Sequence, residues 1–263
     1  MRGWWRDLTD LVLPAECGGC GRPRTVLCPE CRAVLTAAVP RRVRPAPEPS
    51  GLPVVLAAAR YADETRALLL AHKERGALAL AGPLGTALAG AVRATLGGGR
   101  ARTGGATVLL VPVPSGRGAV RARGHDPTRR IALAAAGELR RTGTPARVVA
   151  VLRQRRPVAD QSGLDARQRR ANLSGALGVA AAGAGLLGGG PVVLVDDLMT
   201  TGASLAEAAR ALRAVGVGAA VYEGADRERT GERMAAAMEG NTDHTIRAAV
   251  IAASPDSLEI NRN

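Results

Sequence analysis

The stretch from Val192 to Gly216 reads VVLVDDLMTTGASLAEAARALRAVG, and it indicates a buried strand followed by an amphipathic helix. The apolar run Val192–Val195 is typical of a strand that is covered on both faces of a sheet. Ser204 and Glu207 have the spacing of a capping box, which predicts a helix that starts near Ser204. We therefore predict that Asp196–Ala203 is a loop between the strand and the helix. The apolar face of the helix is predicted from the i, i+3, i+4 spacing of Leu205, Ala208, Ala209, Leu212 and Val215.

The predicted loop begins with two acidic residues and continues with residues that suit an anion. Asp196 and Asp197 are carboxylates, which when ionised only accept hydrogen bonds and therefore suit hydroxyl groups. The residues that follow offer hydroxyl donors, a flexible glycine and a helix N-terminus, which together suit a phosphate. A ribose 5-phosphate group satisfies both halves at once. A surface Asp-Asp turn that only caps the helix is the alternative.

Similar apolar runs recur along the rest of the chain, with Ala/Leu/Arg segments of helical spacing between most of them. The runs begin at Val54, Thr107, Arg147, Gly218 and Ala248. Strands that alternate with helices predict an α/β fold, with a parallel sheet flanked by helices. The charged segment Gly224–Thr242 shows no clear strand pattern.

The composition narrows the class of protein. A chain of 263 residues with 46% hydrophobic residues is expected to form a packed core. The net charge of +13 suggests an anionic partner, and both DNA and a phosphate-bearing small molecule remain open. The N-terminus has no long apolar core, and glycines together with Pro191 interrupt the charge-free stretch Asn172–Val195, so we expect no signal peptide and no membrane span. We expect a cytoplasmic protein.

All four cysteines lie near the N-terminus, as CGGC at 17–20 and CPEC at 28–31. Each CxxC turn presents two thiolates to one metal, so the array predicts a structural Zn²⁺ site made by Cys17, Cys20, Cys28 and Cys31. A redox role for these cysteines is the alternative. We expect three parts: a zinc-binding module at 1–38, a linker rich in Pro and Arg at 39–53, and a main domain at 54–263.

The sequence resembles a known family. VVLVDDLMTTGAS closely resembles the phosphoribosyl-pyrophosphate (PRPP) loop of the type I phosphoribosyltransferases, and the whole chain is similar to the ComF family of competence-related phosphoribosyltransferase-like proteins. Besides this loop and the four-cysteine module, the likeness rests on RYADETRALLLAHKERG at 60–76, VPVPSGRGAVRARGHD at 111–126 and QSGLDARQRRANLSGAL at 161–177. The chain departs from the family pattern at His125, Asp126 and Pro127, on the acceptor side.

The resemblance implies a type I phosphoribosyltransferase-like fold and a set of site residues. Asp196 and Asp197 would hold the ribose hydroxyls. The 5′-phosphate would bind to Thr200, Thr201, Gly202, Ala203 and Ser204. The pyrophosphate loop would consist of Ser115, Gly116, Arg117 and Gly118. A lid over the site would include Gln161, Arg169 and Asn172.

The function implied is binding of PRPP with Mg²⁺ and transfer of its phosphoribosyl group to a nitrogen acceptor, a small molecule that the sequence does not identify. Arg117 and Lys73 are the candidate catalytic residues, and Lys73 is the only lysine in the chain. A compact ammonium suits a close point-charge contact better than a guanidinium does. The alternative function is a non-catalytic PRPP- or nucleotide-binding accessory protein associated with DNA uptake or recombination. A competence protein as partner and a homo-oligomer also remain open.

Overall fold

The computed structural model describes residues 16–97, 105–156, 166–217 and 246–254, and within them it shows a mixed α/β fold around a six-stranded sheet. The sheet consists of β1 (Arg41–Val43), β2 (Val54–Arg60), β3 (Val108–Pro112), β4 (Ala146–Val148), β7 (Val192–Met199) and β8 (Arg247–Ala253). Its order is β1-β2-β8-β7-β3-β4, and every neighbouring pair is parallel except β1 with β2. A separate antiparallel ribbon is formed by β5 (Leu152–Gln154) and β6 (Leu177–Val179).

Helices lie around this sheet. They are α1 (Pro29–Thr36), α2 (Asp63–Glu74), α3 (Ala81–Thr95), α4 (Arg117–Arg123), α5 (Pro127–Arg141), α6 (Ala166–Leu173) and α7 (Ala203–Arg213). Short 3₁₀ turns occur at Leu78–Leu80 and Ala181–Leu187. This arrangement confirms the predicted fold class of a mostly parallel sheet flanked by helices.

The central strands are buried on both faces. In β7, Val193 and Val195 belong to the cluster that includes residues of α2, α3 and α5, whereas Val192 and Leu194 belong to the cluster that includes α7 and the ribbon. Alternate residues therefore serve opposite layers, as the period of two in a strand requires. The predicted strands that begin at Val54, Thr107 and Ala248 are confirmed as β2, β3 and β8, to within a residue at their starts.

Strand β7 is longer than the sequence pattern predicted. The predicted loop Asp196–Ala203 is wrong over its first half, because β7 continues to Met199. Parallel pairing with β8 carries the strand onward, with Asp196 opposite Val250 and Leu198 opposite Ala252. The carboxylates therefore project from the last residues of a strand, and the loop itself is only Thr200–Gly202.

The start of α7 also differs from the prediction. The helix begins at Ala203, its N-cap is Gly202 in the left-handed conformation, and no side chain caps it. The capping box of Ser204 and Glu207 is therefore wrong. Leu205, Ala208, Ala209 and Leu212 are buried as predicted, but Val215 lies beyond the helix and is exposed.

Glu207 has a tertiary partner instead of a cap. Its Oε1 accepts a hydrogen bond from the backbone N–H of Leu177 at 3.0 Å, and its carboxylate pairs with Arg210. Arg210 in turn donates to the Leu177 carbonyl oxygen at 2.9 Å. Burial raises the pKa of Glu207, but the bonds from Arg210 and Leu177 outweigh burial and leave it below the ordinary value. The pair thus fastens the ribbon to α7.

The predicted strand that begins at Arg147 is shorter than its apolar run. The run that begins at Arg147 does not form one strand to Val151, because β4 ends at Val148 and the chain enters the ribbon at Leu152. The run that begins at Gly218 and the segment Gly224–Thr242 lie outside the described residues.

The cysteine-containing segment packs directly on the helical layer. Cys17, Cys28, Cys31 and Leu35 share one buried cluster with residues of α2 and α3. Within the predicted linker, Arg41–Val43 forms strand β1, which pairs with β2. The predicted domain boundaries at residues 38 and 53 stay a prediction, but the segment predicted as a linker includes a strand of the sheet. Among the described helices, none has the length and apolar character needed to cross a membrane.

Candidate ligand-binding site

A cavity of about 1190 Å³ opens where β3 and β7 end. It is bordered by α2, the segment after β3, the ribbon, α6 and the start of α7. Its cationic lining residues are Arg66, Lys73, Arg117, Arg123, Arg155, Arg156 and Arg169. Its carboxylates are Glu74, Asp196 and Asp197. This excess of cations makes the cavity suitable for a multiply charged anion.

The acidic pair at the end of β7 is already hydrogen-bonded. Asp197 is only 5% exposed, and its Oδ2 lies 2.8 Å from Lys73 Nζ while its Oδ1 accepts from the backbone N–H of Leu198 at 2.8 Å. Asp196 Oδ1 accepts from the backbone N–H of Asp197 at 2.8 Å and from Thr128 Oγ1 at 3.4 Å. Neither aspartate bonds to the N-terminus of α7, so the alternative of a helix-capping turn is wrong.

The charges of this group are coupled. Burial raises the pKa of Asp196 well above its usual range, and the neighbouring Asp197 raises it further. Burial lowers the pKa of Lys73, but the charge and hydrogen bond of Asp197 outweigh burial and raise it overall. Lys73 is therefore held in its charged form beside the Asp197 carboxylate, and Asp196 is shifted toward its protonated form.

The last turn of α2 makes three consecutive contacts at this edge. The rings of His72 and His125 meet edge to face with centroids 5.9 Å apart, and Lys73 pairs with Asp197. Glu74 accepts two hydrogen bonds from Arg123, at 2.7 and 2.9 Å. The sequence pattern singled out Lys73 but missed Glu74, whose partner lies 49 residues away and leaves no local signal.

The predicted pyrophosphate loop lines the cavity, but half of it is helical. Ser115 and Gly116 precede α4, and Arg117 and Gly118 form its first turn. Arg117 donates through its backbone N–H to Gln154 Oε1 at 3.4 Å and through Nη2 to the Gln154 carbonyl oxygen at 3.3 Å. Arg117 is therefore held by the ribbon, a contact that the sequence pattern did not reveal.

Asp126, one of the residues where the chain differs from the family pattern that it resembles, has a structural role. Asp126 is the N-cap of α5, since its Oδ1 accepts from the backbone N–H of Arg129 at 3.1 Å. Ser115 Oγ donates to the same oxygen at 3.4 Å. Pro127 follows at the first helical position, which suits its missing N–H. Asp126 thus links the loop after β3 to α5.

The predicted phosphate-binding residues surround the start of α7, and Thr200 and Ser204 line the cavity. Gly202 has φ +71°, and a Cβ there would lie 3.1 Å from Leu52 Cδ1. A larger residue would therefore be strained and would press on the segment before β2. Thr201 and Ala203 lie in the same turn but do not line the cavity.

Of the predicted lid residues, Arg169 reaches the site. Its Nη1 donates to Thr200 Oγ1 at 3.3 Å, and it lines the cavity. Asn172 lies at the end of α6, where its carbonyl oxygen accepts from Arg156 Nη2 at 2.9 Å. Gln161 lies outside the described residues.

The four cysteines come together as predicted. Their Sγ atoms all lie within 4.8 Å of one another, and those of Cys20 and Cys28 are 3.6 Å apart. A tetrahedral zinc with bonds of about 2.3 Å separates its sulfurs by roughly 3.8 Å, so the cluster fits a structural metal such as zinc. Gly19 is required by close approach, because a Cβ there would lie 2.7 Å from Cys31 Sγ. Burial raises the pKa of Cys17, but backbone N–H groups outweigh burial and lower it to about 6, which favours the thiolate of this residue. Burial and the neighbouring thiols raise the pKa of Cys31 instead.

Comparison with models of known protein families gives no match for this chain, and comparison with curated proteins gives none either.

Proposed function

We propose that the cavity binds PRPP together with Mg²⁺, and that the chain is a phosphoribosyltransferase-like protein of the ComF kind. The observation that supports this proposal is that three groups of residues line the same cavity. These are the Asp196–Asp197 pair at the end of β7, the hydroxyls of Thr200 and Ser204 at the start of α7, and Arg117 after β3. Ligands of parallel α/β sheets bind at the carboxyl ends of the strands, where this cavity lies.

Each part of PRPP then has a complementary group. The 5′-phosphate binds at the turn Thr200–Ser204, where hydroxyls and the N-terminus of α7 donate. The ribose hydroxyls donate to the acidic pair. The pyrophosphate would lie against Ser115–Gly118, and Mg²⁺ bound with it would offset part of its charge. The surplus of arginine in the cavity offsets the several negative charges of the ligand.

In the proposed reaction an acceptor nitrogen forms a bond to C1 of the ribose while the bond from C1 to the pyrophosphate oxygen breaks. Pyrophosphate leaves with the bonding electron pair, and the acceptor nitrogen loses its proton. Catalysis by this chain then consists of holding the two reactants together and stabilising charge on the leaving group, chiefly through Arg117. Arg169, which already contacts Thr200, helps to keep water away from the reacting carbon.

Binding and turnover of PRPP are measured separately. Calorimetric titration of PRPP with Mg²⁺ into the parent, Arg117→Ala and Arg141→Ala tests binding. Arg141 is the matched control, because its side chain is 72% exposed and pairs with Glu138 away from the cavity. We expect Arg117→Ala to weaken PRPP binding and Arg141→Ala to leave it unchanged. A parent protein that does not bind PRPP contradicts the proposal.

Turnover is tested by pyrophosphate release from PRPP and Mg²⁺ in the presence of a panel of nucleobases and amines. Release that depends on the acceptor supports the transferase. Binding of PRPP without release for any acceptor supports the alternative of a non-catalytic binding protein.

A further inference from the structure

The C-terminal half of α2 lies between the cysteine cluster and the ligand cavity. Leu68 and Ala71 face the cysteine cluster, and Leu70 and Lys73 line the cavity. One helix therefore presents one side to the metal site and another to the ligand site.

The CGGC turn packs against α2 with no room for an added side chain. A Cβ at Gly18 would lie 2.8 Å from Leu80 Cδ1 and 3.2 Å from Ala71 Cβ, and a Cβ at Gly19 would lie 3.4 Å from Leu68 Cγ. The CGGC turn and α2 thus lie so close that an added methyl group at either glycine would meet side chains of the helix. Because the interior is close-packed, a displacement of this turn is transmitted to the helix.

On the other side, α2 is tied to two parts of the cavity by ion pairs. Lys73 pairs with Asp197 at the end of β7, and Glu74 pairs with Arg123 in α4. Lys73 Nζ donates its hydrogen bond to Asp197. The position of α2 therefore decides whether the ammonium reaches the acidic pair.

We propose that the metal-loaded cysteine cluster is a positioning device for the ligand site: by fixing the CGGC turn against α2, it holds Lys73 on Asp197. Metal loading and ligand affinity are then coupled through this helix. The inference about ligand affinity rests on the proposed function, whereas the inference about the position of Lys73 does not.

Because the chain has one lysine, its ammonium can be observed directly. An N-hydroxysuccinimidyl acetate reagent acylates unprotonated, accessible amines, so Lys73 held in its ion pair reacts slowly. Mass spectrometry of the digested protein gives the rate at Lys73, and the N-terminal amine is the internal standard. We expect removal of zinc by a chelator to raise the relative rate at Lys73 by roughly fivefold or more, a size typical of coupled sites.

Gly18→Ala provides a second route that keeps all four cysteines. Its added methyl group pushes on Leu80 and Ala71, so we expect this variant to hold zinc and still acylate Lys73 faster than the parent. Val34→Ala, an exposed change in α1, is the control and keeps the parent's rate. An unchanged Lys73 rate in zinc-depleted protein that keeps its circular dichroism spectrum overturns the proposal. If chelation unfolds the chain, an unchanged rate in zinc-bound Gly18→Ala overturns it.

A cycle of PRPP titrations tests the consequence for binding. Zinc removal is expected to weaken PRPP binding by the parent protein. In Lys73→Met the same removal is expected to weaken PRPP binding by less than about twofold, because the effect of zinc on the ligand site acts through Lys73. Equal losses in both proteins contradict the proposal. If the parent does not bind PRPP, the proposed function fails, while the acylation rates still decide whether the cluster positions Lys73.

Discussion

Lys73 Nζ lies 2.8 Å from Asp197 Oδ2, so the only lysine of the chain is paired with a buried carboxylate 124 residues further along the sequence. The pair joins α2 to the end of β7 inside the cavity. A buried carboxylate that lost this partner would be left with an uncompensated charge, which proteins avoid by moving or protonating the group.

The first prediction concerns the geometry of this pair. Lys73→Arg keeps the charge but replaces a compact ammonium with a wider planar group, which does not fit the same space beside Asp197. We expect PRPP affinity to fall by about 1 kcal/mol, or roughly fivefold, the size of one hydrogen bond. Calorimetric titration measures it, with Arg141→Lys, an exchange of the two cations outside the cavity, as the control. Equal affinity for Lys73→Arg and the parent contradicts a close contact.

The second prediction concerns the metal. We expect one zinc per chain, and we expect Cys28→Ser to lower the melting temperature by at least about 5 °C. Because Cys28 is fully buried in the cluster shared with α2 and α3, the loss reaches the main helical layer. Cys20 is exposed, so Cys20→Ser is expected to cost less stability. Metal analysis that finds no zinc, with the cysteines in disulfides, contradicts the site.

The third prediction separates the observed role of Glu207 from the capping box. Glu207→Ala leaves the buried N–H of Leu177 unpaired, so we expect a loss of about 1–3 kcal/mol in the free energy of unfolding. Ser204→Ala removes no cap and is expected to cost less than about 0.5 kcal/mol. Urea unfolding of both variants measures these losses. A larger loss in Ser204→Ala than in Glu207→Ala restores the capping box.

The sequence predicted those features that depend on local spacing. Examples are the apolar face of α7, the β7 strand and the grouping of the cysteines. It failed where tertiary pairing decides the outcome. Aspartate is disfavoured in strands, yet Asp196 and Asp197 continue β7 because β8 supplies a parallel partner. The contacts of Glu74 with Arg123 and of Arg117 with Gln154 join segments 49 and 37 residues apart, so no local pattern encodes them.

The fourth prediction concerns stability and pH. Burial lowers the pKa of His72 below 6.5, with the charge of Arg130 and the neighbouring His125 as minor causes. The folded state therefore holds fewer protons than the unfolded state just below pH 6.5, and the contribution of His72 to stability is lost as the pH falls through that region. The contribution of Asp196 to stability changes with pH in the opposite direction, because its raised pKa makes stability fall as the pH rises above about 3.8.

The variant His72→Asn isolates the contribution of the histidine to the pH dependence of stability. The amide can still donate to the Ala77 carbonyl oxygen, which His72 Nδ1 contacts at 3.4 Å, but it does not titrate. We expect the difference in unfolding free energy between parent and variant to shrink as the pH is lowered from about 7.5 to about 5, since only the parent loses stability by charging His72. Urea unfolding at both pH values gives this difference. A difference that stays constant with pH contradicts a depressed pKa for His72.

The last prediction treats the two aspartates separately, because their surroundings differ. Asp197 is the ionised partner of Lys73, so Asp197→Asn keeps the size and removes the charge that holds the ammonium and the ribose hydroxyls. Charge-assisted hydrogen bonds contribute about 1.5–3 kcal/mol, so PRPP affinity should fall at least about tenfold. Asp196 has a raised pKa, and its protonated form resembles an amide. Asp196→Asn should therefore bind like the parent at low pH and lack the change in affinity that the parent shows as Asp196 ionises. Titrations of PRPP and Mg²⁺ at several pH values test both variants, and unchanged affinity in the double Asn variant excludes the acidic pair as the ribose-binding site.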